Sequence, residues 1–252
     1  MKQLRLNSGR LDAWVLEPDE GGARADVNII LCHGFGAPGE DLVGLGPELV
    51  ALAPALASRV RWIFPQAPLS LADMGLPSGR AWWLIDMERL IVERDWASYI
   101  EAVPEGLPKA RRMLMALIDD LSAKTQVPIG RTIVGGFSQG AMLTTDVALR
   151  LEEAPLGLVA LSGALISRGA WVERAPKRAG LPVFQSHGRR DPILPYEVGE
   201  KLRGVLEEGG LSVTFVPHDG EHAIPMRVLH ELASWLTARL PGRPETGDQG
   251  QD

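Results

Sequence analysis

Gly136-Phe137-Ser138-Gln139-Gly140 limits what this chain can fold into more than any other stretch. It is a Gly-x-Ser-x-Gly pentapeptide set between a short β-branched run, Arg131 to Gly135, and a run from Ala141 to Arg150 with apolar residues at helical spacing. A serine on so sharp a strand-to-helix turn is held in a strained backbone, with its hydroxyl lifted above the sheet edge. Glycines flank it because a Cβ at either position would strike the neighbouring strand or helix. In a chain with 28 glycines the pentapeptide alone says little, and its strand–turn–helix setting gives it weight.

The remaining sequence supplies that setting. Residues 3–7 and 11–16 alternate on either side of Ser8-Gly9-Arg10 and read as an opening hairpin. Apolar strands are expected at 27–32 and 60–64, then near 132–136, 157–161, 182–186 and 212–216. Helical patterns fall near 41–57, 107–125, 139–153, 195–208 and 224–240, and Gly209-Gly210 makes a stop before the last strand. Strands that alternate with helices indicate an α/β fold, a mostly parallel sheet covered on both faces. Residues 65–106 break the pattern, with Pro65, Pro68, Pro77 and Pro104 and no long element. That stretch has too many tryptophans and leucines to be disordered, and long irregular loops in compact domains usually serve function.

A length of 252 residues fits one large domain, with no internal repeat and no linker. Residues 1–240 form it, and the polar, Pro/Gly-rich residues 241–252 are expected to be a flexible tail. The net charge of −6 argues against a nucleic-acid partner, and the basic cluster Arg174 to Arg178 reads as a solvated loop. Cys32, at the end of an apolar run, is expected to be a buried core thiol. Neither a signal peptide nor a bilayer-spanning apolar run is visible, so a cytoplasmic protein without stable membrane insertion is expected.

A serine hydroxyl attacks at neutral pH only when a base takes its proton and an acid orients that base. On this architecture the partners follow in the order serine, acid, histidine. His33 precedes Ser138, His187 closes a strand ahead of every plausible acid, His218 ends the last strand and His230 lies within the last helix. His222 sits in a short turn after the last strand, at the same sheet edge as Ser138, and is the candidate base. Asp191 follows the strand at 182–186 in His187-Gly-Arg-Arg-Asp-Pro-Ile-Leu-Pro and is the candidate orienting acid. Asp219 and Glu221 are too close to His222 along the chain to reach its ring easily. The oxyanion of acyl transfer needs backbone donors, for which the amides of Gln139 and Phe35 are the candidates. His33 then fixes the glycine-rich loop that carries Phe35.

Leu31-Cys-His-Gly-Phe-Gly, Phe64-Pro-Gln-Ala-Pro, Gly79-Arg-Ala-Trp-Trp, Gly136-Phe-Ser-Gln-Gly-Ala, Leu161-Ser-Gly, Asp191-Pro-Ile-Leu-Pro and Gly220-Glu-His occur in order. Together they resemble the phospholipase/carboxylesterase family of α/β-hydrolases, which includes acyl-protein thioesterases, over about residues 27 to 236. The resemblance implies an α/β-hydrolase fold and a serine esterase. Ser138, Asp191 and His222 match the family triad, and Phe35 and Gln139 its oxyanion hole. Substrates would be short- to medium-chain carboxylic esters, lysophospholipids or S-acyl thioesters, with no metal and no organic cofactor. The chain departs from the family by placing Leu84-Ile85 between Trp82-Trp83 and Asp86.

Leu69, Leu71, Met74, Leu76, Trp82 and Trp83 are candidates to line an acyl pocket, with core packing an equal alternative for the two tryptophans. With no large cap domain in the sequence, an open groove is expected, whose apolar rim could pair two subunits. The competing readings are a peptidase or amidase on the same fold, and a non-catalytic ligand-binding protein that would lack a triad member. A metalloenzyme is weaker, since no His-Glu-x-x-His or comparable spacing occurs.

Overall fold

The runs Val27–Cys32 and Val60–Pro65 are buried at every position. A strand buried on both faces needs cover on both, which helical crossovers between parallel strands provide. The computed structural model describes residues 1–7, 11–18, 25–86 and 88–242, the side chain of Ile91 excepted, and shows that arrangement. Its strands are β1 (Lys2–Asn7), β2 (Asp12–Glu17), β3 (Val27–Cys32), β4 (Val60–Pro65), β5 (Leu69–Ser70), β6 (Arg80–Ala81), β7 (Thr132–Phe137), β8 (Gly157–Leu161), β9 (Pro182–Gly188) and β10 (Ser212–His218). Its helices are α1 (Leu45–Leu52), α2 (Trp96–Glu101), α3 (Leu107–Thr125), α4 (Gln139–Ala148), α5 (Arg168–Arg174), α6 (Tyr196–Glu208) and α7 (Met226–Thr237).

Among the described residues the main sheet has eight strands in the order β1-β2-β4-β3-β7-β8-β9-β10. The β1–β2 and β2–β4 pairs are antiparallel and the rest are parallel. The period-two alternation of a strand divides the core cleanly. Ile29 and Leu31 of β3 pack with Trp62, Val159 and Phe184 under α1 and α7. Ile30 and Cys32 face the other way, with Ile63, Val134 and Val183 under α3, α4, α5 and α6. Parallel register brings the carboxyl ends of β3, β7, β8, β9 and β10 to one edge, where ligands gather in open α/β sheets.

The structure differs from the sequence expectation in several places. The first helix covers only residues 45–52, and a 3₁₀ turn at Pro54–Leu56 follows it because Pro54 cannot continue an α-helix. The helix after Ser138 ends at Ala148, five residues early, and α5 was not expected at all. Consequently Arg174 to Arg178 is no solvated loop: it closes α5 and a 3₁₀ turn. Arg178 donates to the carbonyls of Ala148 and Leu151, capping the end of α4. Within 65–106 lie a β5–β6 ribbon, a π-helical turn at Glu88–Val92 and α2.

The turn at Ser8-Gly9-Arg10 and residues 243–252 of the expected tail lie outside the described residues. Pro241 and Gly242, at the start of that tail, are held. Arg59 donates to the Pro241 carbonyl at 2.6 Å and Arg131 to that of Gly242 at 2.7 Å. Both guanidiniums also pair with Asp26, just ahead of β3.

Burial alone would raise the Asp26 carboxyl, but the hydrogen bonds and charges of Arg59 and Arg131 outweigh it and hold the group below its ordinary 3.8. A depressed folded pKa contributes stability that is fully present above the unfolded value and is lost as pH falls through the folded one. Asp26→Asn is therefore expected to be less stable than the wild type at pH 7, with the gap closing below about pH 4. Urea unfolding of both proteins at neutral and acid pH measures it.

Candidate active site

The elbow around Ser138 is built by backbone crowding. The chain passes from β7 to α4 through this one residue, whose φ of 54° and ψ of −119° lie outside the comfortable range of a residue with a Cβ. Its N–H donates to the Leu161 carbonyl at 2.8 Å, tying the strained residue to β8. A Cβ on Gly136 would stand 2.5 Å from the Cys32 carbonyl oxygen, and one on Gly140 would run into the carbonyls of Cys32 and His33. The obstacle is thus the end of β3. Cys32 itself is buried there, and burial pushes its thiol well above the ordinary range.

Two loops at the same edge bring His222 and Asp191 together. Gly188 fits tightly beneath the Gly220 and Glu221 carbonyls, and Arg189 and Arg190 donate their amides to His218 and Gly220. The loop after β9 therefore lies flat against the loop after β10. Asp191 uses its oxygens separately. Oδ1 accepts the amides of Ile193 at 2.9 Å and Leu194 at 2.8 Å, while Oδ2 accepts Nδ1–H of His222 at 2.6 Å. Burial pulls the carboxyl upward, but the His222 hydrogen bond and charge and the two amides prevail and keep it below its ordinary value. With Nδ1 committed, His222 keeps Nε2 for other work, and its ring leans on Phe137 at 4.7 Å between centroids. Asp219 instead faces Arg189 at 3.8 Å, and His230 is exposed on α7.

The loop after β3 is fixed by side chains to each side. Nδ1–H of His33 donates to the Gly34 carbonyl at 2.8 Å and Nε2 accepts the Ala67 amide at 3.1 Å. Burial lowers the His33 pKa, consistent with that neutral, doubly bonded ring. Trp82 donates its indole N–H to the His33 carbonyl at 2.9 Å, and the Gly36 amide bonds to Arg80. The amide of Phe35, between them, makes no hydrogen bond among the described residues. Gln139 sends its amide in a direction the sequence does not announce: it accepts from Trp82 N–H at 3.0 Å and donates to the Trp83 carbonyl at 2.8 Å.

The phospholipase/carboxylesterase family model matches residues 17–240. The chain belongs to that family. It is a serine hydrolase of the carboxylesterase and acyl-protein thioesterase kind. It is 31% identical to acyl-protein thioesterase 1 of Eremothecium gossypii over 86% of this chain and 89% of that one. It is 29% identical to lysophospholipase-like protein 1 of Mus musculus, over 76% and 77% of the two chains. Among solved structures, esterase PE8 superposes with a TM-score of 0.77 at 26% identity, covering 95% of this chain and all of that one.

In this carboxylesterase-family chain, Ser138 and His222 line one cavity of about 130 Å³. Its other walls are Gly34, Phe35, Ala37, Phe137 and Met142, with Ile193 and Leu194 from the Asp191 loop. From the irregular stretch come Ile85, Leu90 and Tyr99, with Asp41 the one carboxylate in the lining. None of Leu69, Leu71, Met74, Leu76, Trp82 and Trp83 lines it. Leu71, Trp82 and Trp83 are buried, with both tryptophans in the core under α3 and α4, and Leu69 sits half-buried in β5. Met74 is 59% exposed beyond the cavity. The tryptophan pair seats this stretch on the core, and Ile85, Leu90 and Tyr99 further along face the cavity. The signal for Ile85 and Leu90 was their place after the tryptophan pair; nothing local marks Met142, which depends on the helical turn after Ser138. Among the described residues no group of three His, Cys, Asp or Glu side chains is placed to hold a metal ion, and no helix is long and apolar enough to cross a membrane.

Because the Gly140 Cα packs directly on backbone, no side-chain movement can make room for a Cβ there. Gly140→Ala is expected to cost at least the upper end of the about 1–3 kcal/mol typical of overpacking, read as a lower denaturation midpoint. Ala at Gly130, where a Cβ meets nothing within 4 Å, is the control.

Proposed function

We propose that this chain hydrolyses short- to medium-chain carboxylic esters through Ser138, His222 and Asp191, by way of a covalent acyl-enzyme. The observation that carries the reading is the 2.6 Å pair of His222 Nδ1 and Asp191 Oδ2 at the wall of the cavity that Ser138 also lines. In the cycle, His222 Nε2 takes the Ser138 proton as Oγ attacks the carbonyl carbon. The amides of Phe35 and Gln139 hold the oxyanion, with the positive end of the α4 dipole behind Gln139. The imidazolium then gives its proton to the leaving alcohol or thiol, and water repeats the sequence on the acyl group. Asp191 fixes the tautomer of His222 and stabilises the imidazolium. The apolar lining receives the acyl chain, and its small volume favours the short end of the range.

S-acyl thioesters and lysophospholipids are further candidate substrates, supported by the names of the relatives. The chemistry is the same, since only the leaving group changes. A binding protein on this fold would have no need of a strained serine beside an oriented histidine.

The test is hydrolysis of p-nitrophenyl esters from acetyl to decanoyl by wild type and Ser138→Ala. Wild type should turn over the short esters fastest, with the mutant at background. No turnover of any ester by wild type would favour the binding reading, and an optimum at the long end would contradict the cavity. Asp191→Asn should lower kcat by about 10⁴-fold, the usual cost of losing the orienting carboxylate, with KM little changed.

A further inference from the structure

His187, the last histidine before Asp191, is left unused by the proposed chemistry, yet it is fully buried behind that carboxylate at the end of β9. Nε2–H donates to the Leu194 carbonyl at 2.7 Å and stands 3.6 Å from Asp191 Oδ2. Nδ1 is wholly buried and makes no hydrogen bond of ordinary geometry, and the Gly163 backbone lies close enough to the ring to pull its pKa upward. The ring cannot drift. A Cβ on Gly199 of α6 would approach its Nδ1 to 2.5 Å, and Tyr196 meets it edge-on at 6.1 Å between centroids. Burial holds His187 below its ordinary pKa, against the opposing pull of the Leu194 carbonyl and the Asp191 carboxylate.

Such a group is costly. A buried ring with so poorly paired a nitrogen destabilises a fold, which an apolar side chain of similar shape avoids. The compensation must lie in what its N–H holds. Leu194 is bound from both ends: its carbonyl by His187, its amide by Asp191 Oδ1 at 2.8 Å. Its side chain also lines the catalytic cavity. Fixing Leu194 therefore fixes one of the two amides that engage Oδ1, the other being that of Ile193, and with them the orientation of the carboxylate whose Oδ2 meets His222.

We propose that His187 is a positioning residue for the Asp191–His222 pair, acting through the Leu194 carbonyl. Neutral and clamped, it sets the plane of the carboxylate without competing for Oδ2 as a cation would. The inference rests on the reading of Ser138, His222 and Asp191 given above.

The experiment compares wild type, His187→Leu, His187→Gln and Ser138→Ala on a short p-nitrophenyl ester. Active sites are counted by fluorophosphonate labelling, and the low-field proton resonance of His222 Nδ1–H is recorded for each. His187→Leu is expected to lose about 10- to 100-fold in kcat, the scale of a small misplacement of catalytic groups. KM should barely move, and the low-field resonance should shift or broaden. Gln, whose side-chain N–H can reach the Leu194 carbonyl, should restore most of both. A folded His187→Leu with wild-type kcat and resonance overturns the proposal. If the leucine variant does not fold, the glutamine variant decides. Near-wild-type rate and resonance support the role of the N–H, and loss of both in a folded protein overturns it. A dead Ser138→Ala beside a wild-type-like His187→Leu defeats this inference alone, whereas turnover surviving in Ser138→Ala defeats the proposed function and this with it.

Discussion

The close approach of α4 to the end of β3 is the contact on which the site depends. Gly140 lies against the carbonyls of Cys32 and His33, with no side chain between. Two backbones brought that near place the helix start beside the loop that leaves β3, and the Ser138 Cβ close to Gly34. The Gln139 side chain then reaches across to Trp82 and Trp83, and the Trp82 indole returns to His33. The seating of the irregular 65–106 stretch and the shape of the elbow are thereby coupled. The strain at Ser138 is held by the hydrogen bond to Leu161 and by this crowding on every side.

Two buried carboxylates show how environment separates a structural charge from one suited to the proposed chemistry. Asp146 of α4 is wholly buried and meets Arg111 at 2.8 Å, Arg150 at 3.0 Å and the Trp171 indole at 2.9 Å. Arg111 ties the helix to α3 and the Trp171 indole ties it to α5, and with Arg150 they occupy both oxygens. Asp191 has backbone amides on one oxygen and an imidazole on the other. The imidazole first and the amides after it keep it ionised when buried, and the imidazole is a partner whose charge can change during a reaction. A strong arginine in the place of His222 would have paired it as well and made it inert.

The framework was legible in the sequence wherever one local rule dominated. Continuous apolar runs at 27–32 and 60–64 marked buried parallel strands, and the glycine spacing around Ser138 marked the elbow. The order of Asp191 and His222 along the chain sufficed to single out the pair that the structure brings to 2.6 Å. What escaped depended on contacts between distant segments. Helix α5 is only seven residues long and carries one fully buried side chain, Trp171, so its pattern had no period to read. The cavity wall was sought among the bulkiest apolar residues of 69–83, but bulk favours the core, and the exposed turn of the chain after Trp83 brought Ile85 and Leu90 to the cavity instead. The Gln139 bridge joins residues more than fifty apart and leaves no local trace.

Asp26, Arg59 and Arg131 precede β3, β4 and β7, so the cluster that grips Pro241 and Gly242 stands at the amino ends of the strands. The serine, the histidine and the cavity lie at the carboxyl ends. The sheet thus separates the grip on Pro241 and Gly242 from the cavity by the full length of its central strands. Gly242 is gripped at the end of the sheet opposite the cavity, and the ion cluster that holds it can be altered without touching a residue that lines the cavity.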